Sequence, residues 1–95
     1  MEIKHSILGN KGEFVALQDG KRAGEMTYSV AGSELIIVDH TGVEDEFKGL
    51  GVGKRILLDG VVKYAREHKI KVMPLCPFAK AMFEKMPEIH DVLAK

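Results

Sequence analysis

The sequence predicts an α+β fold, similar to an α/β sandwich, with helices packed on one sheet, and three observations support it. The first third alternates short apolar segments with glycine-rich turns, residues 35–38 form an apolar run, and the hydrophobic period becomes helical from Val52 onward. With 95 residues, 45% of them hydrophobic, the chain can bury one core. We therefore expect a single domain over residues 1–95.

The first third predicts an antiparallel meander of three strands. Apolar residues 3–8 and 14–17 flank residues 9–12, Gly-Asn-Lys-Gly, a composition that tolerates positive φ and favours a hairpin. A second break at residues 19–21 leads to residues 22–30, where apolar and polar side chains alternate in part. Three short strands in succession follow from this pattern.

Residues 34–43 predict a fourth, central strand, because they begin with consecutive apolar residues, as expected when both faces of a strand are covered. From Val52 to about His68 the apolar residues recur with the helical period, which predicts an amphipathic helix. Gly60 lies on its apolar face, where a glycine costs about 1 kcal/mol relative to alanine. A close approach of this helix to the sheet would explain that glycine.

The last quarter of the chain predicts one more strand and further helical turns. Residues 70–75 form a short apolar segment in which Pro74 removes a backbone donor, indicating an edge or the end of strand pairing. Pro77 suits the first turn of a helix over residues 78–85. Residues 88–94 are expected to add a last helical turn or two.

Charge and composition narrow the possible partners. The formal net charge is zero, so nothing favours nucleic acid or an anionic membrane, and we expect neither. The N-terminus lacks the apolar core of a signal peptide, no apolar run approaches the roughly 20 residues that span a bilayer, and a lone cysteine forms no internal disulfide. We expect a soluble, cytoplasmic protein, a monomer or weak dimer. One cysteine and four scattered histidines show no metal-ligand spacing, so no metal is expected.

A glycine-rich loop joins the fourth strand to the helix. Three alternate glycines precede or begin the helix, where free backbone amides and the helix dipole favour a bound anion. The loop is not a Walker A motif, because Lys48 and Arg55 stand where that motif needs a glycine and a Ser or Thr. It is not a dinucleotide fingerprint either, because Lys54 replaces the third glycine and the preceding strand follows a meander.

The same stretch resembles the acetyl-CoA signature of the GNAT superfamily of N-acetyltransferases, R/Q-x-x-G-x-G/A. Lys48, Gly51 and Gly53 fall on its three defined positions, and Val43 and Phe47 extend the register upstream. Lys48 replaces the usual Arg or Gln, which keeps the positive charge but loses a forked contact. The order of elements is similar to a minimal GNAT fold over nearly the whole chain: a meander, a central fourth strand, a pyrophosphate loop, a helix, a fifth strand splayed from the fourth, and C-terminal helices.

The short connection between the first two strands indicates which members of the superfamily the chain resembles most. Only residues 9–12 join them, whereas the ordinary superfamily member carries one or two helices there that help to hold the acceptor. The chain is therefore most similar to the very small GNAT-like proteins of about this length, which carry a His-Thr and a Cys-Pro pair, here His40-Thr41 and Cys76-Pro77. The resemblance implies an acetyl-CoA-dependent N-acetyltransferase with an open site. Its acceptor would be an unidentified amine, a protein side chain or a small amine. The open site favours a side chain on a larger or exposed substrate, or else an acceptor held by another subunit.

The resemblance also implies which residues form the site. The residues expected to bind acetyl-CoA are Thr41, Gly42, Val43, Lys48, Gly49, Leu50, Gly51, Val52, Gly53, Lys54 and Arg55. The catalytic candidates are His40, Glu44 and Cys76. They are candidates because Phe83 stands where many members have the tyrosine that protonates the departing CoA thiolate.

Two catalytic routes and one non-catalytic alternative are open. In the direct route, which the superfamily generally uses, His40 or Glu44 takes the amine proton through water, and a backbone amide near Thr41 polarises the thioester carbonyl. In the covalent route the Cys76 thiolate, favoured by a helix N-terminus, first accepts the acetyl group with His40 as partner. Each residue also has a simpler interpretation as a packed thiol, a core histidine or a solvated turn. The missing tyrosine and acceptor helices favour the alternative, a non-catalytic acyl-CoA or CoA-binding module.

Overall fold

The computed structural model describes residues 1–94, which form a five-stranded sheet with helices packed on it. The strands are β1 (Glu2–Leu8), β2 (Lys11–Gln18), β3 (Lys21–Val30), β4 (Leu35–Val43) and β5 (Lys71–Pro74). Their spatial order is the chain order, with β1 to β4 antiparallel and β5 parallel to β4. The predicted α+β fold is confirmed.

The predicted helices are present, with one difference in their geometry. A continuous helix, α1, covers residues 52–68 in three segments: α-helical Val52–Ile56, π-helical Leu57–Val62 and α-helical Lys63–His68. The second helix, α2, is Pro77–Lys85, and short 3-10 helices cover Asp45–Phe47 and Pro87–Val92. The hydrophobic period did not predict the π-helical centre of α1, because its buried residues Leu57, Gly60 and Val61 recur at a spacing that an α-helix also gives.

Both predicted hairpin turns are confirmed. The β1–β2 connection is made by two residues, the first of which is Gly9 at φ 63°. The β2–β3 connection uses Asp19 at φ 52° and Gly20 at φ 80°. Two-residue turns with positive φ match the right-handed twist of the flanking strands, which is why these compositions form hairpins.

Strand β4 lies between β3 and β5, as predicted, but the expectation that both its faces are covered was wrong. Ile36 and Val38 are buried in the core, whereas Leu35 and Ile37 are only half-buried. Ile37 faces Ser29 across one ladder and Met73 across the other, and both neighbours keep contact with solvent. An apolar run can therefore mark a strand with one covered face and one half-open face.

The glycine on the apolar side of α1 does allow close packing. A Cβ atom on Gly60 would lie 2.9 Å from Cδ1 of Phe14 and 3.2 Å from Cγ2 of Ile3. Phe14 is itself 2% exposed. The predicted close approach of this helix to the sheet is confirmed.

Strands β4 and β5 pair over only four residues and then separate. The ladder runs from Leu35 opposite Lys71 to Val38 opposite Pro74. Beyond it the carbonyl of Val38 accepts the amides of both Leu75 and Cys76, at 2.9 and 3.0 Å. The predicted end of pairing at Pro74 is confirmed, and the rest of β4 has no strand on that side within residues 1–94.

One hydrophobic core joins the sheet to both helices. Its largest fully buried side chains are Tyr28, Phe83, Met26, Ile56, Leu57, Val38, Val52, Val61, Val62 and Val72. None of the helices in residues 1–94 is both long enough and apolar enough to cross a membrane.

Candidate functional site

The glycine-rich loop turns the chain from β4 into α1. Gly49 and Gly51 adopt left-handed backbone conformations, with φ of 82° and 78°. Within residues 1–94 no atom lies within 4 Å of a Cβ built on either residue, so conformation and not crowding requires glycine here. Gly51 is the N-cap of α1, and none of the side chains that the structure describes caps the helix. The first amides of α1 are therefore available to an external anion.

Gly53 differs from these two glycines, because it lies in the first turn of α1 under an aromatic ring. A Cβ atom on Gly53 would lie 2.6 Å from Cζ of Phe78. That ring closes one side of a cavity of about 220 Å³ beside the loop. The lining residues are Val43, Phe47, Lys48, Gly49, Gly51, Val52, Gly53, Lys54, Phe78 and Met82. The cavity thus joins the predicted loop to the start of α2.

A β-bulge in β4 determines which face of the sheet each side chain of residues 39–41 occupies. Val38 of β4 pairs with Tyr28 of β3. The next residue of β3, Thr27, pairs with His40, so Asp39 is an extra residue on β4. Asp39 accepts hydrogen bonds from the hydroxyls of Thr27 and Ser29 on the outer face of the sheet. Because a bulge shifts the in-and-out alternation by one residue, His40 also faces outward.

The next residue, Thr41, faces the core side and meets the cysteine. Thr41 pairs with buried Met26, and its Oγ1 accepts a hydrogen bond of 3.1 Å from Sγ of Cys76. Cys76 is 4% exposed and is the N-cap of α2, as predicted. The thiol therefore lies where β4 and β5 separate, paired with the hydroxyl of Thr41.

The imidazole of His40 has a carboxylate partner on the neighbouring strand. Its Nε2 lies 3.2 Å from Oε2 of Glu25, whose side chain is 16% exposed. Glu25 also lies 3.5 Å from Nη2 of Arg22, and Arg22 binds Glu13 at 2.9 Å. The hydrogen bond with Glu13 is the main cause that raises the pKa of Arg22 above its ordinary value.

The structure does not bring His40 and Cys76 together as a pair. His40 bonds to Glu25 on the outer face, whereas Cys76 bonds to Thr41 on the core side. The covalent route assumed that His40 would be the partner of the thiol, and this geometry does not provide it. The alternative interpretation of His40 as a core histidine was wrong, because 62% of its side chain is exposed.

The charged candidates lie around the loop and on the surface. Glu44 is exposed and precedes the 3-10 turn, as the simple interpretation of a solvated turn predicts. Lys48 Nζ lies 3.0 Å from Oδ1 of Asp45, and Arg55 Nε lies 2.6 Å from Oδ2 of Asp59. Both cations are exposed. A bound anion would have to compete with these weak surface pairs.

Sequence reasoning missed several residues of the site. Phe78 and Met82 line the cavity from α2, although the segment after Cys76-Pro77 was predicted only as a helix. Glu25 was not considered, because a single carboxylate in a meander carries no signal of its partner. Thr41 was predicted for its backbone alone, and its hydroxyl adds the contact with the thiol.

The tyrosine hydroxyls do not replace the missing general acid. The hydroxyl of Tyr28 lies 2.5 Å from Nε2 of His5, within an aromatic cluster that includes Tyr64. Burial raises the pKa of Tyr28 far above its ordinary value. Phe83, at the position where a tyrosine is common, is buried in the core. Within residues 1–94 no three His, Cys, Asp or Glu side chains are arranged to hold a metal ion.

Comparison with known proteins identifies the family. A family model described as GCN5-related N-acetyl-transferase matches residues 13–92. The solution structure of a GCN5-like protein from Staphylococcus aureus, assigned provisionally as an N-acetyltransferase, is 41% identical. That match covers 98% of this chain and 87% of the other, with a TM-score of 0.69. A search of the curated proteins finds no significant match.

Two more distant crystal structures share the fold. Ribosomal-protein-alanine N-acetyltransferase from Brucella melitensis is 23% identical over 81% of this chain and 61% of its own, with a TM-score of 0.67. A GNAT family acetyltransferase from Elizabethkingia anophelis, which has acetyl-CoA bound, is 15% identical over 80% of this chain and 52% of its own, with a TM-score of 0.64. These two structures show the shared fold. The family match over residues 13–92 and the 41% identity to the Staphylococcus aureus protein show that the chain belongs to the GCN5-related N-acetyltransferase (GNAT) family.

Proposed function

We propose that this chain binds acetyl-CoA and transfers its acetyl group to an amine. The observation that carries the proposal is that the unpaired edge of β4 continues into the glycine-rich loop, in a chain that belongs to a family of acetyltransferases. The free edge of β4 beyond Val38 leads directly into the loop with left-handed Gly49 and Gly51. An extended ligand that ends in a pyrophosphate matches that path.

Each part of the path suits one part of acetyl-CoA. The backbone amides of residues 49–54 would donate to the pyrophosphate, helped by the dipole of α1 and by the cation of Lys54 at the cavity. The backbone of residues 41–43 would pair with the amide groups of the pantetheine arm, as a strand pairs with its neighbour. Phe78 and Met82 would cover the arm's methylene groups, because they form the apolar wall of the cavity. Leu50, 69% exposed at the loop tip, would contact the nucleotide end.

The direct route of transfer fits the arrangement of the candidates. In this route the amine nitrogen forms a bond to the thioester carbon, the carbon–sulfur bond breaks, and CoA leaves as a thiolate. His40 accepts the proton that the nitrogen loses, and the thiolate takes a proton from solvent. An amide near Thr41 stabilises the oxyanion while both bonds are partly formed. His40 is preferred to Glu44 as the base because it faces the open side of the sheet, where no helix follows β1 to cover an acceptor.

The covalent route has less support. It needs Cys76 to lose its proton to a base, yet the thiol is 4% exposed and its hydrogen-bond partner is the hydroxyl of Thr41. A hydroxyl is a poor base at neutral pH, so the thiol would attack the thioester slowly. We infer that Cys76 packs against the acyl end of the site and is not acetylated during turnover.

The competing function is a non-catalytic CoA-binding module. The observation that favours it is the absence of a free tyrosine hydroxyl at the site: Phe83 is buried in the core, and the hydroxyl of Tyr28 is bound to His5. This alternative predicts the same affinity for acetyl-CoA and no transfer.

Two measurements separate the possibilities. Calorimetric titration with acetyl-CoA tests binding, and release of free CoA thiol in the presence of polyamines, lysine peptides or basic proteins tests transfer. The proposal expects binding and amine-dependent thiol release. Binding without release in any of these mixtures supports the module, and no binding refutes both.

A further inference from the structure

The outer face of the sheet carries a chain of charged side chains that ends at His40. The carboxylate of Glu25 stands between His40, at 3.2 Å, and Arg22, at 3.5 Å. Arg22 is held from its other side by Glu13 at 2.9 Å. Glu25 is the least exposed member of the chain, at 16%, whereas His40 is 62% exposed. The carboxylate is therefore fixed from two directions while the imidazole remains accessible.

Gly42 provides the space in which this carboxylate lies. Gly42 pairs with Glu25 across the β3–β4 ladder. A Cβ atom on Gly42 would lie 2.1 Å from Oε2 of Glu25, and 3.2 Å from Nε2 of His40. The φ of Gly42 lies outside the left-handed region, so the backbone itself does not require glycine there. The missing side chain serves the contact between Glu25 and His40.

The bulge at Asp39 completes the arrangement. Without the extra residue, regular alternation would place His40 on the core side, where Val38 lies. Thr41 would then face the outer side of the sheet. With it, His40 reaches Glu25 and Thr41 reaches Cys76. Exposed ion pairs add little to stability, so folding alone does not account for a bulge, a glycine and a largely covered carboxylate that together orient one imidazole.

We propose that Glu25 is the positioning residue for His40 in acetyl transfer, an inference that rests on the proposed function. An ionised carboxylate only accepts hydrogen bonds, so Nε2 of His40 carries the proton toward Glu25 and Nδ1 keeps its lone pair. Nδ1, directly or through one water, takes the proton that the amine nitrogen loses as the carbon–nitrogen bond forms and the carbon–sulfur bond breaks. The resulting imidazolium keeps its Nε2–H bond to Glu25, which stabilises the new charge.

The charged groups around His40 define the controls. On this face of the sheet they include Glu25 and Arg22 on β3, Glu13 and Lys11 on β2, and Asp39 on β4, which lies 4.0 Å from Nζ of Lys11. Asp39 is engaged by Thr27 and Ser29. Glu13→Gln removes the same charge from the same arginine without touching the imidazole, so it is the matched control for Glu25→Gln.

The test is the pH profile of amine-dependent thiol release. We expect Glu25→Gln to lower kcat by about 10- to 100-fold and to change the pH profile of kcat/KM, because the imidazolium loses its carboxylate partner. The acetyl-CoA affinity of this variant, from calorimetry, should stay within twofold of wild type. Gly42→Ala, which displaces the carboxylate, should lower kcat in the same way. Glu13→Gln should leave the profile unchanged.

A double variant separates positioning from a structural effect. Glu25→Gln combined with His40→Gln should be no slower than His40→Gln alone, because Glu25 acts only through the imidazole. A Glu25→Gln variant with wild-type kcat and pH profile overturns the inference, as does a double variant slowed by the product of the two single effects. If the wild type itself releases no thiol with any amine, the proposed function fails and this inference fails with it.

Discussion

Substitution of Gly51 by alanine tests whether the loop before α1 binds acetyl-CoA through its backbone. Gly51 has a φ of 78°, and Gly32, at the opposite end of β4, has a φ of 84°. At neither position does an atom of the described part of the chain, residues 1–94, lie within 4 Å of a built Cβ. Alanine at either position therefore creates the same backbone strain and no clash, which makes Gly32→Ala a matched control.

The expected magnitudes differ between stability and binding. An alanine in the left-handed region costs about 1–2 kcal/mol, and in a domain of this size each kcal/mol lowers Tm by about 4–8 °C. Both variants should show this loss. A hydrogen bond to a charged group contributes about 1.5–3 kcal/mol, so turning one loop amide away from a phosphate should weaken the Kd for acetyl-CoA by about 10- to 150-fold. This second effect is expected for Gly51→Ala alone.

The assay is calorimetric titration of acetyl-CoA into the wild type and both variants, below the Tm of the weaker variant. Wild-type affinity in Gly32→Ala and a weakened affinity in Gly51→Ala would support the loop as the pyrophosphate site. Equal affinities in the two variants would refute the reasoning, because the strain would then be the only consequence of the substitution.

Three further predictions concern packing, pH and the thiol. Gly60→Ala should lower the free energy of unfolding by about 1–2 kcal/mol, because overpacking against Phe14 exceeds the gain in helix propensity. Gly53→Ala should lower it less, because the new methyl group meets only the exposed end of the Phe78 ring. Chemical denaturation measures both free energies. Burial lowers the pKa of His5 below its ordinary 6.5, so the unfolded chain binds more protons and stability should fall as the pH drops below about 6.5; His5→Gln should flatten the change in Tm between about pH 7.5 and 5.5. Cys76→Ala should keep most of the amine-dependent thiol release, since the direct route does not use the thiol, and a loss of more than about 100-fold with normal acetyl-CoA affinity would favour the covalent route.

The fold could be predicted from the sequence because its signals are local and agree with one another. Two-residue turns such as Gly9-Asn10 fix the hairpins, and Pro74 ends the pairing of the fifth strand. The motif around Gly51 then places the helix start. What the pattern could not give is the half-open face of β4, because the apolar residues at 35 and 37 would be equally consistent with a covered strand.

The candidate site was only partly predictable, for one geometric reason. Residues 39–43 contain little apolar sequence, so nothing local marks Asp39 as the extra residue of a bulge. Regular alternation from the buried Val38 would put His40 on the core side, near Cys76, which is the pairing that the covalent route assumed. The bulge reverses this placement, so that His40 lies on the outer face of the sheet and Thr41 on the core side. The role of Glu25 could not be predicted for a related reason, since its contact with His40 depends on the register of β3 and β4 and not on spacing along the chain.

The most direct test of the central claim is to map where CoA binds, residue by residue. Amide chemical shifts of the uniformly labelled protein should be recorded as CoA is added. We predict that the largest changes fall on residues 41–43 and 49–54, the free end of β4 and the loop, with smaller changes at Phe78 on the cavity wall. Changes confined to other parts of the sheet, or none at saturating CoA, would contradict the assignment of this site.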